Sequence, residues 1–341
     1  MNSYILTSKQ LKQNLLISLL LILLAFIFID VALLVFTKLK TSKKTFIEDK
    51  KSKILHFEYN KKENRDIVFL GSSRTIYHIS TNYFKSQQVD IYNFGVSGNY
   101  LTDYPSLIYK ILEQKPKNIV INLSINDLFV MSDEIKRPLM NDLKFYWNMH
   151  NKSLFFNALF YWGVNLHTFL AYSEPIVVRI KKNYDKFEPQ NNIESQEKVP
   201  VKSNINTQYD CDVFSKQTIG KKIILKCSNG DGILLGEGSN FKQKEKKMLN
   251  KVNSIAIEIL SQYIKIIKDA GINPIIIFEP ILNNHFVYNK QEVKTLVKTT
   301  VLDLTNEKIK DKFWVDENHL NIEGRRMYSM KICNVLREIS K

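Results

Sequence analysis

Only three cysteines, at 211, 227 and 333, occur in the 341 residues, too few for a disulfide framework. Cys211 and Cys227 flank a short candidate hairpin. A bridge between them suits an oxidising compartment, whereas in a reducing one both are ordinary thiols. No Cys-x-x-Cys and no His-Glu-x-x-His occurs, so no common zinc spacing is present. Zinc-finger spacing, basic-zipper heptads and an RNP-like aromatic strand are also missing. The formal charge of +15 therefore does not mark a nucleic-acid binder, because its lysines are spread along the whole chain. That charge reads as a solvated surface, with attraction to anionic lipid or acidic glycans as a smaller component. No internal repeat is visible.

One long apolar run is present, "NLLISLLLILLAFIFIDVALLVF", from Asn14 to Phe36. At 1.5 Å rise per residue a helix of this length reaches roughly 30 Å, the thickness of a hydrocarbon core. The flank "TKLKTSKK" offers no small-x-small cleavage site, so an uncleaved anchor is predicted over 15–36 after an N-terminal tail, 1–14. Asp30 near the end of the run is expected to snorkel to the interface or to face a partner helix. Lys9 and Lys12 precede the run while Lys38, Lys40, Lys43 and Lys44 follow it. The positive-inside rule taken alone would leave the rest of the chain in the cytoplasm.

Residues 37–65 are lysine-rich with little apolar periodicity, which predicts a juxtamembrane stalk. Beyond them, "DIVFL" (Asp66–Leu70), "VDIYNF" (Val89–Phe94), "NIVINLS" (Asn118–Ser124) and "NPIIIF" (Asn273–Phe278) are short, nearly continuous apolar runs. Such runs read as strands buried on both faces. Helical patterns lie between them, over Thr102–Gln114, over Lys244–Gly271 with Gly271 as its C-terminal cap, and over Ile322–Ile339 with Asn321 as N-cap. Strand alternating with helix predicts an α/β class with a parallel sheet covered on both faces. The domain at 66–341 is interrupted by an insertion at about 130–244. Its first half is aromatic and helical in pattern, and its second half, "NYDKFEPQNNIESQEKVPVKSNINTQYD", reads as a long polar loop.

Ligands of an open parallel sheet bind where the strands end. Four stretches fall at such ends or beside them: "FLGSSR", "NFGVSGNY", "SINDLF" and, before the last helix, "DENHLN". Alone each has an ordinary reading, as a helix cap, a turn or a surface segment. Together, in this order, they resemble the four blocks of the SGNH hydrolases, also called GDSL-type esterases and lipases. The resemblance covers about 66–129 and 244–341, and implies a three-layer, flavodoxin-like sheet domain. It implies Ser73 as nucleophile, His319 as base and Asp316 as its orienter, a chemistry that needs no metal or organic cofactor. It also implies an oxyanion hole made by the backbone N–H groups of Ser73 and Gly98 and the side-chain amide of Asn126.

Two positions depart from the usual blocks: Ser72 stands where Asp is common and Ser124 where Gly is common. Gly-Ser-Ser followed by Arg is similar to membrane-anchored branches of the superfamily, such as the D-alanine transfer and alginate O-acetylation proteins. That likeness implies an enzyme facing the cell envelope that transfers or removes an acyl group, acetyl foremost, on a surface polysaccharide. Its implied partners are a multi-spanning membrane acyltransferase, a glycan acceptor and membrane lipid. Two other readings remain open at this level. One is a degenerate domain that binds glycan or scaffolds an acyltransferase complex; the other, from the lysine asymmetry, is a cytoplasmic esterase of lipid-linked intermediates.

Overall fold

The computed structural model describes residues 14–22, 24, 25, 28, 50–132, 135, 138–166, 209–219, 222–236, 247–282 and 286–339. The chain divides into two units, residues 1–42 with 160–197, and residues 43–159 with 198–341. In the first unit, residues 14–22, 24, 25 and 28 are helical, and Leu15, Leu16 and Leu19 to Leu21 are exposed. The rest of the apolar run to Phe36 and the stalk up to residue 49 lie outside the described residues. Among the described residues no helix is long and apolar enough to cross a membrane.

The second unit is a mixed α/β body built on five parallel strands: β1 (Ile67–Gly71), β2 (Ile91–Gly95), β3 (Asn118–Leu123), β8 (Asn273–Phe278) and β10 (Thr300–Asp303). Their spatial order is β2-β1-β3-β8-β10. The apolar runs form β1, β2, β3 and β8, whose faces are both covered; all five residues of β1 and of the edge strand β2 are buried. The strand that the sequence pattern does not show, β10, is short and half-buried along its length, so it lacks the continuous apolar signature.

Alternation along β1 sends Ile67 and Phe69 to one face, where they pack with Phe84, Tyr328, Ile332 and Leu336. Phe84 comes from α3 (Thr81–Ser86), and the other three come from α9 (Ile322–Ile339), the helix predicted at those bounds. The opposite layer holds α4 (Pro105–Leu112) and α7 (Ser254–Asp269), which buries Ala256, Ile259, Leu260, Tyr263, Ile264 and Ile267 at helical spacing. Two predicted helices begin later than the pattern suggested. Pro105 sits at the start of α4, where its missing N–H costs nothing. Asn253 accepts from the N–H groups of Ile255 and Ala256 at 3.0 and 3.1 Å and so starts α7 at Ser254. Before it, Lys247–Met248 (β7) pairs with Phe286–Val287 (β9), which α8 (Lys290–Val297) follows. Gly271 does take a positive φ, +75°.

Part of the expected stalk is packed structure. Helix α1 (Lys50–Tyr59) fully buries Phe57, whose ring lies 4.7 Å from that of Tyr92 and 4.8 Å from that of Phe94. Two of its lysines are buried as well, because each ammonium finds an acceptor while its stem covers apolar surface. Lys50 pairs with the buried Asp142 at 2.8 Å, and Lys53 donates to the carbonyl of Gly230.

The insertion has two kinds of structure. Helices α5 (Met140–Asn148) and α6 (Lys152–Leu166) occupy its aromatic half. Most of the predicted polar loop, residues 183–208, lies outside the described residues. Beyond it an antiparallel sheet forms from β4 (Val213–Ile219), β5 (Lys222–Cys227) and β6 (Gly232–Leu235). One face of this sheet holds Leu225 and Ile233 with the bridged pair Cys211–Cys227. The other packs Ile224 and Leu234 on Ile76, Tyr77 and Val315. Asp231 fastens the small sheet in place, accepting from Thr81 N and Oγ1 at 3.1 and 3.0 Å and pairing with the buried Arg325 of α9.

The bridge closes a separation of 16 residues, for which chain-entropy loss in the unfolded state gives about 3 kcal/mol. Cys211→Ser with Cys227→Ser is expected to lower unfolding stability by about that amount in oxidising buffer. Urea titration of wild type and variant, each with and without reductant, checks it; equal midpoints in oxidising buffer would refute the assignment.

Candidate active site

The parallel register aligns the ends of the strands: Gly71 pairs with Gly95, and Leu123 with Phe278. The segments that follow β1, β2, β3 and β8 therefore converge on one edge. Ser73 begins α2 (Ser73–His78) immediately after β1. Ser72 is extended at φ −92° and its side chain makes no capping hydrogen bond, so the turn is not explained as a serine cap. A Cβ on Gly95 would stand 2.8 Å from the N of Ile76 and 2.9 Å from the carbonyl oxygen of Ser72. The bare backbone of β2 thus lets the serine turn sit close against it.

His319 reaches the same place from the other side of the sequence. The segment Phe313–Asn321 folds back on itself: Val315 N donates to His319 O at 2.8 Å and Asn321 N to Phe313 O at 2.9 Å. Trp314, only 1% exposed, anchors the loop in the core, and Asn321 Oδ1 caps α9 by accepting from Gly324 N at 3.0 Å. The resulting loop holds Asp316 and His319 in mutual contact.

The side chains form a continuous hydrogen-bonded line. Ser73 Oγ lies 2.9 Å from His319 Nε2, and His319 Nδ1 lies 2.9 and 3.0 Å from the two carboxylate oxygens of Asp316. A carboxylate only accepts, so Nδ1 carries the proton and Nε2 is left to accept from the serine hydroxyl. Asp316 Oδ1 also accepts from the backbone N–H groups of Asn318 and His319, both at 2.9 Å, and Oδ2 accepts from Lys222 Nζ at 2.6 Å. Burial alone would raise the Asp316 carboxyl. The hydrogen bond and charge of His319, with those from Lys222 and Asn318, outweigh it and hold the group well below the usual carboxylate range.

A cleft of about 230 Å³ opens at this point, lined by Ser73, Arg74, Gly98, Asn99, Ser124 and His319 among others. Gly98 takes φ +71°, the left-handed region that favours glycine. Ser124 sits at φ −73°, so the position needs no glycine. Asn126 lies in the 3-10 turn Ile125–Leu128 with its Oδ1 buried and unpartnered, and is not among the residues that line the cleft. Asn99, which the sequence blocks do not single out, does line it. Asn99 is 8% exposed and its Nδ2 is buried without a partner. The turn after it is fixed by Tyr263 and Tyr146, whose hydroxyls donate to Leu101 O at 2.8 Å and Thr102 O at 2.6 Å.

No protein-family model matches the chain, and no curated protein matches it. Among solved structures it is similar to one from Bacteroides fragilis described as a "putative acylhydrolase". The two share 11% identity over 81% of this chain and 90% of that one, with a TM-score of 0.33. What this site can do therefore rests on its own geometry.

Around the cleft lies a cluster of ionisable groups that sequence spacing could not reveal: Glu279 and His78 are buried, and Asp127 is part of the cleft lining. Glu279 follows β8 directly and is fully buried, with His78 Nδ1 3.9 Å from its Oε1. Burial pushes its carboxyl up to about 8, against the pull of Arg74 and with the charge of Asp127 adding to the rise. Asp127 is likewise pushed up by burial, to about 6, with Arg74 opposing. His78 Nε2 donates to the carbonyl of Asn318 at 3.0 Å, which ties α2 to the histidine loop. Burial, with His319 and Arg74 nearby, holds His78 well below the usual imidazole range.

A raised carboxyl favours the folded state while it is protonated. The Glu279 contribution is complete below about pH 4.5 and is lost as pH rises towards 8, at about 1.4 kcal/mol per unit. Glu279→Gln is expected to flatten that fall and to gain about 2–3 kcal/mol on wild type between pH 5 and 7.5. Denaturant unfolding at the two pH values measures it; parallel curves would place the ionised form of Glu279 in the fold.

Proposed function

We propose that this chain is a serine acyl-transfer enzyme of SGNH type, an esterase or acyltransferase. The carrying observation is the Ser73–His319–Asp316 line with Nε2 of His319 placed to accept the serine proton. Ser73 Oγ attacks the acyl carbonyl as its proton passes to His319, and the tetrahedral oxyanion collapses as His319 protonates the leaving alkoxide. Water or a sugar hydroxyl then attacks the acyl-serine, again losing its proton to His319, and Ser73 is regenerated. The oxyanion is assigned to the backbone N–H groups of Ser73 and Gly98 and to a side-chain amide, Asn126 from the sequence blocks or Asn99 from its place in the cleft. No step calls on a cofactor.

The substrate we assign is an O-acyl group, acetyl foremost, on a cell-envelope polysaccharide. The protein would be held by a single-pass anchor at 15–36 in the cytoplasmic membrane, with the sheet domain outside. Two features support this: the apolar run ahead of the domain, and the Cys211–Cys227 bridge, which suits an oxidising compartment. The lysine asymmetry opposes it. A multi-spanning acyltransferase as donor of the acyl group accords with the anchor. Alkaline phosphatase fused after Lys341 is expected to be active in cells; an inactive fusion beside an active cytoplasmic reporter at the same point would reverse the orientation.

The test of the chemistry is covalent labelling of the detergent-solubilised full chain by a fluorophosphonate. Labelling that depends on Ser73 supports the reading. A folded wild type that takes no label would favour the second reading, a glycan-binding or scaffold subunit, for which the absence of Asn126 from the cleft lining is the supporting observation.

A further inference from the structure

We propose that Lys222, brought in by the antiparallel sheet of the insertion, is a positioning residue for the Ser73–His319–Asp316 line. Its Nζ lies 2.6 Å from Asp316 Oδ2, while Asp316 Oδ1 is taken by the backbone N–H groups of Asn318 and His319. The carboxylate is thus held at both oxygens. Without Lys222, Oδ2 keeps only its share of the His319 Nδ1–H, at 3.0 Å. The inference rests on the acyl-transfer reading for its catalytic meaning, and on geometry alone for the coupling.

The placement of Lys222 follows from strand periodicity. Lys222 and Ile224 are two apart on β5 and share a face. Ile224 packs on Ile76, Tyr77 and Val315, so that face is pressed on the nucleophile helix and on the residue preceding Asp316. Ile219 pairs with Lys222 at the end of the β4–β5 hairpin, which points this end at the histidine loop. The other end of β5 is Cys227, bonded to Cys211, and Asp231 just beyond it is locked to Arg325. An element outside the four sequence blocks is in this way fixed at one end and delivers a cation to the active carboxylate at the other.

The charges around His319 define the expected sign. Asp316 and Asn318 belong to its own loop; Ser73, Arg74, Tyr77 and His78 face it from α2; Asp127 lines the same cleft from the turn after β3; Lys222 reaches Asp316 from β5. Removing one cation from this set makes a proton on the imidazole easier to hold. The acid limb of the labelling rate should therefore move upward.

The experiment compares the full chain with Lys222→Met and Lys222→Arg. Lys222 is half-exposed, so neither variant threatens the fold. In Lys222→Met the pH at which fluorophosphonate labelling falls off is expected to rise by about half a unit, and the plateau rate to drop about fivefold. Lys222→Arg, which keeps the charge and a donor, should restore both. Independently, the His319 Nδ1–H proton is read by NMR with His319→Gln as its assignment. Its exchange with solvent should speed up about fivefold in Lys222→Met and remain slow in Lys222→Arg.

An unchanged exchange rate in Lys222→Met, or no protected Nδ1–H in wild type, overturns the inference. A purely structural loss would lower the plateau with no movement of the acid limb and no rescue specific to arginine, and would overturn it too. A wild type that takes no label but shows the Lys222-dependent Nδ1–H would sink the acyl-transfer reading and leave the coupling standing.

Discussion

Replacing Ser73 with alanine is expected to abolish fluorophosphonate labelling and to lower turnover of a simple acetyl ester by at least about 10⁴-fold. The residue is the only member of the line with a hydroxyl that His319 Nε2 can deprotonate. No water held by His319 can match it, because the backbone N–H of Ser73 and that of Gly98 are assigned to the oxyanion of an acyl group attacked from Oγ. The fold should survive the change: Ser73 is half-buried and its hydroxyl makes one hydrogen bond, to His319, worth about 1 kcal/mol. Labelling and hydrolysis assays on protein checked by circular dichroism decide the matter. Turnover within tenfold of wild type would remove Ser73 from the chemistry.

Asp316→Asn is the second large effect, with a loss of about 10³- to 10⁴-fold in kcat/KM and little change in KM. The asparagine oxygen would stay with the backbone N–H groups of Asn318 and His319, which need an acceptor. Its amide nitrogen would then replace Oδ2, 3.0 Å from His319 Nδ1 and 2.6 Å from Lys222 Nζ. That sets donor against donor at both contacts. The ring is driven towards the tautomer protonated at Nε2, which cannot take the serine proton, and any imidazolium that forms lacks its counter-charge. A loss below about tenfold would mean that Asp316 neither orients nor stabilises the imidazole. Asp316→Glu is a poorer test, since the longer side chain disturbs the loop that carries His319.

The blandest and the sharpest readings of Gly71-Ser72-Ser73-Arg74 were a helix cap and an exposed nucleophile. The conformation of Ser72 argues against the cap, and the reach of His319 to Ser73 gives the second its geometry. Both departures from the usual blocks prove compatible with the backbone. Ser124 adopts an ordinary extended conformation, and Ser72 is not called on to cap the helix.

The sequence by itself determined the α/β class and four of the five strands of the parallel sheet. Strands buried on both faces are written as unbroken runs of Val, Ile and aromatics, a local signal that needs no knowledge of partners. Spacing alone did not single out Ser73, Asp316 and His319; the resemblance of four short blocks, taken together, to the SGNH hydrolases pointed to them. Only the tertiary structure decided that Ser73 and His319, 246 residues apart, come within 2.9 Å of each other. It alone showed Asn99 and Asp127 rather than Asn126 in the cleft lining, Glu279 buried, Lys222 on Asp316, and lysines of the expected stalk inside the domain. The physical reason is the same in each case. Periodicity reports which face of an element avoids water, whereas hydrogen bonds and buried charges depend on which elements meet, and that is set by packing between segments far apart in the chain.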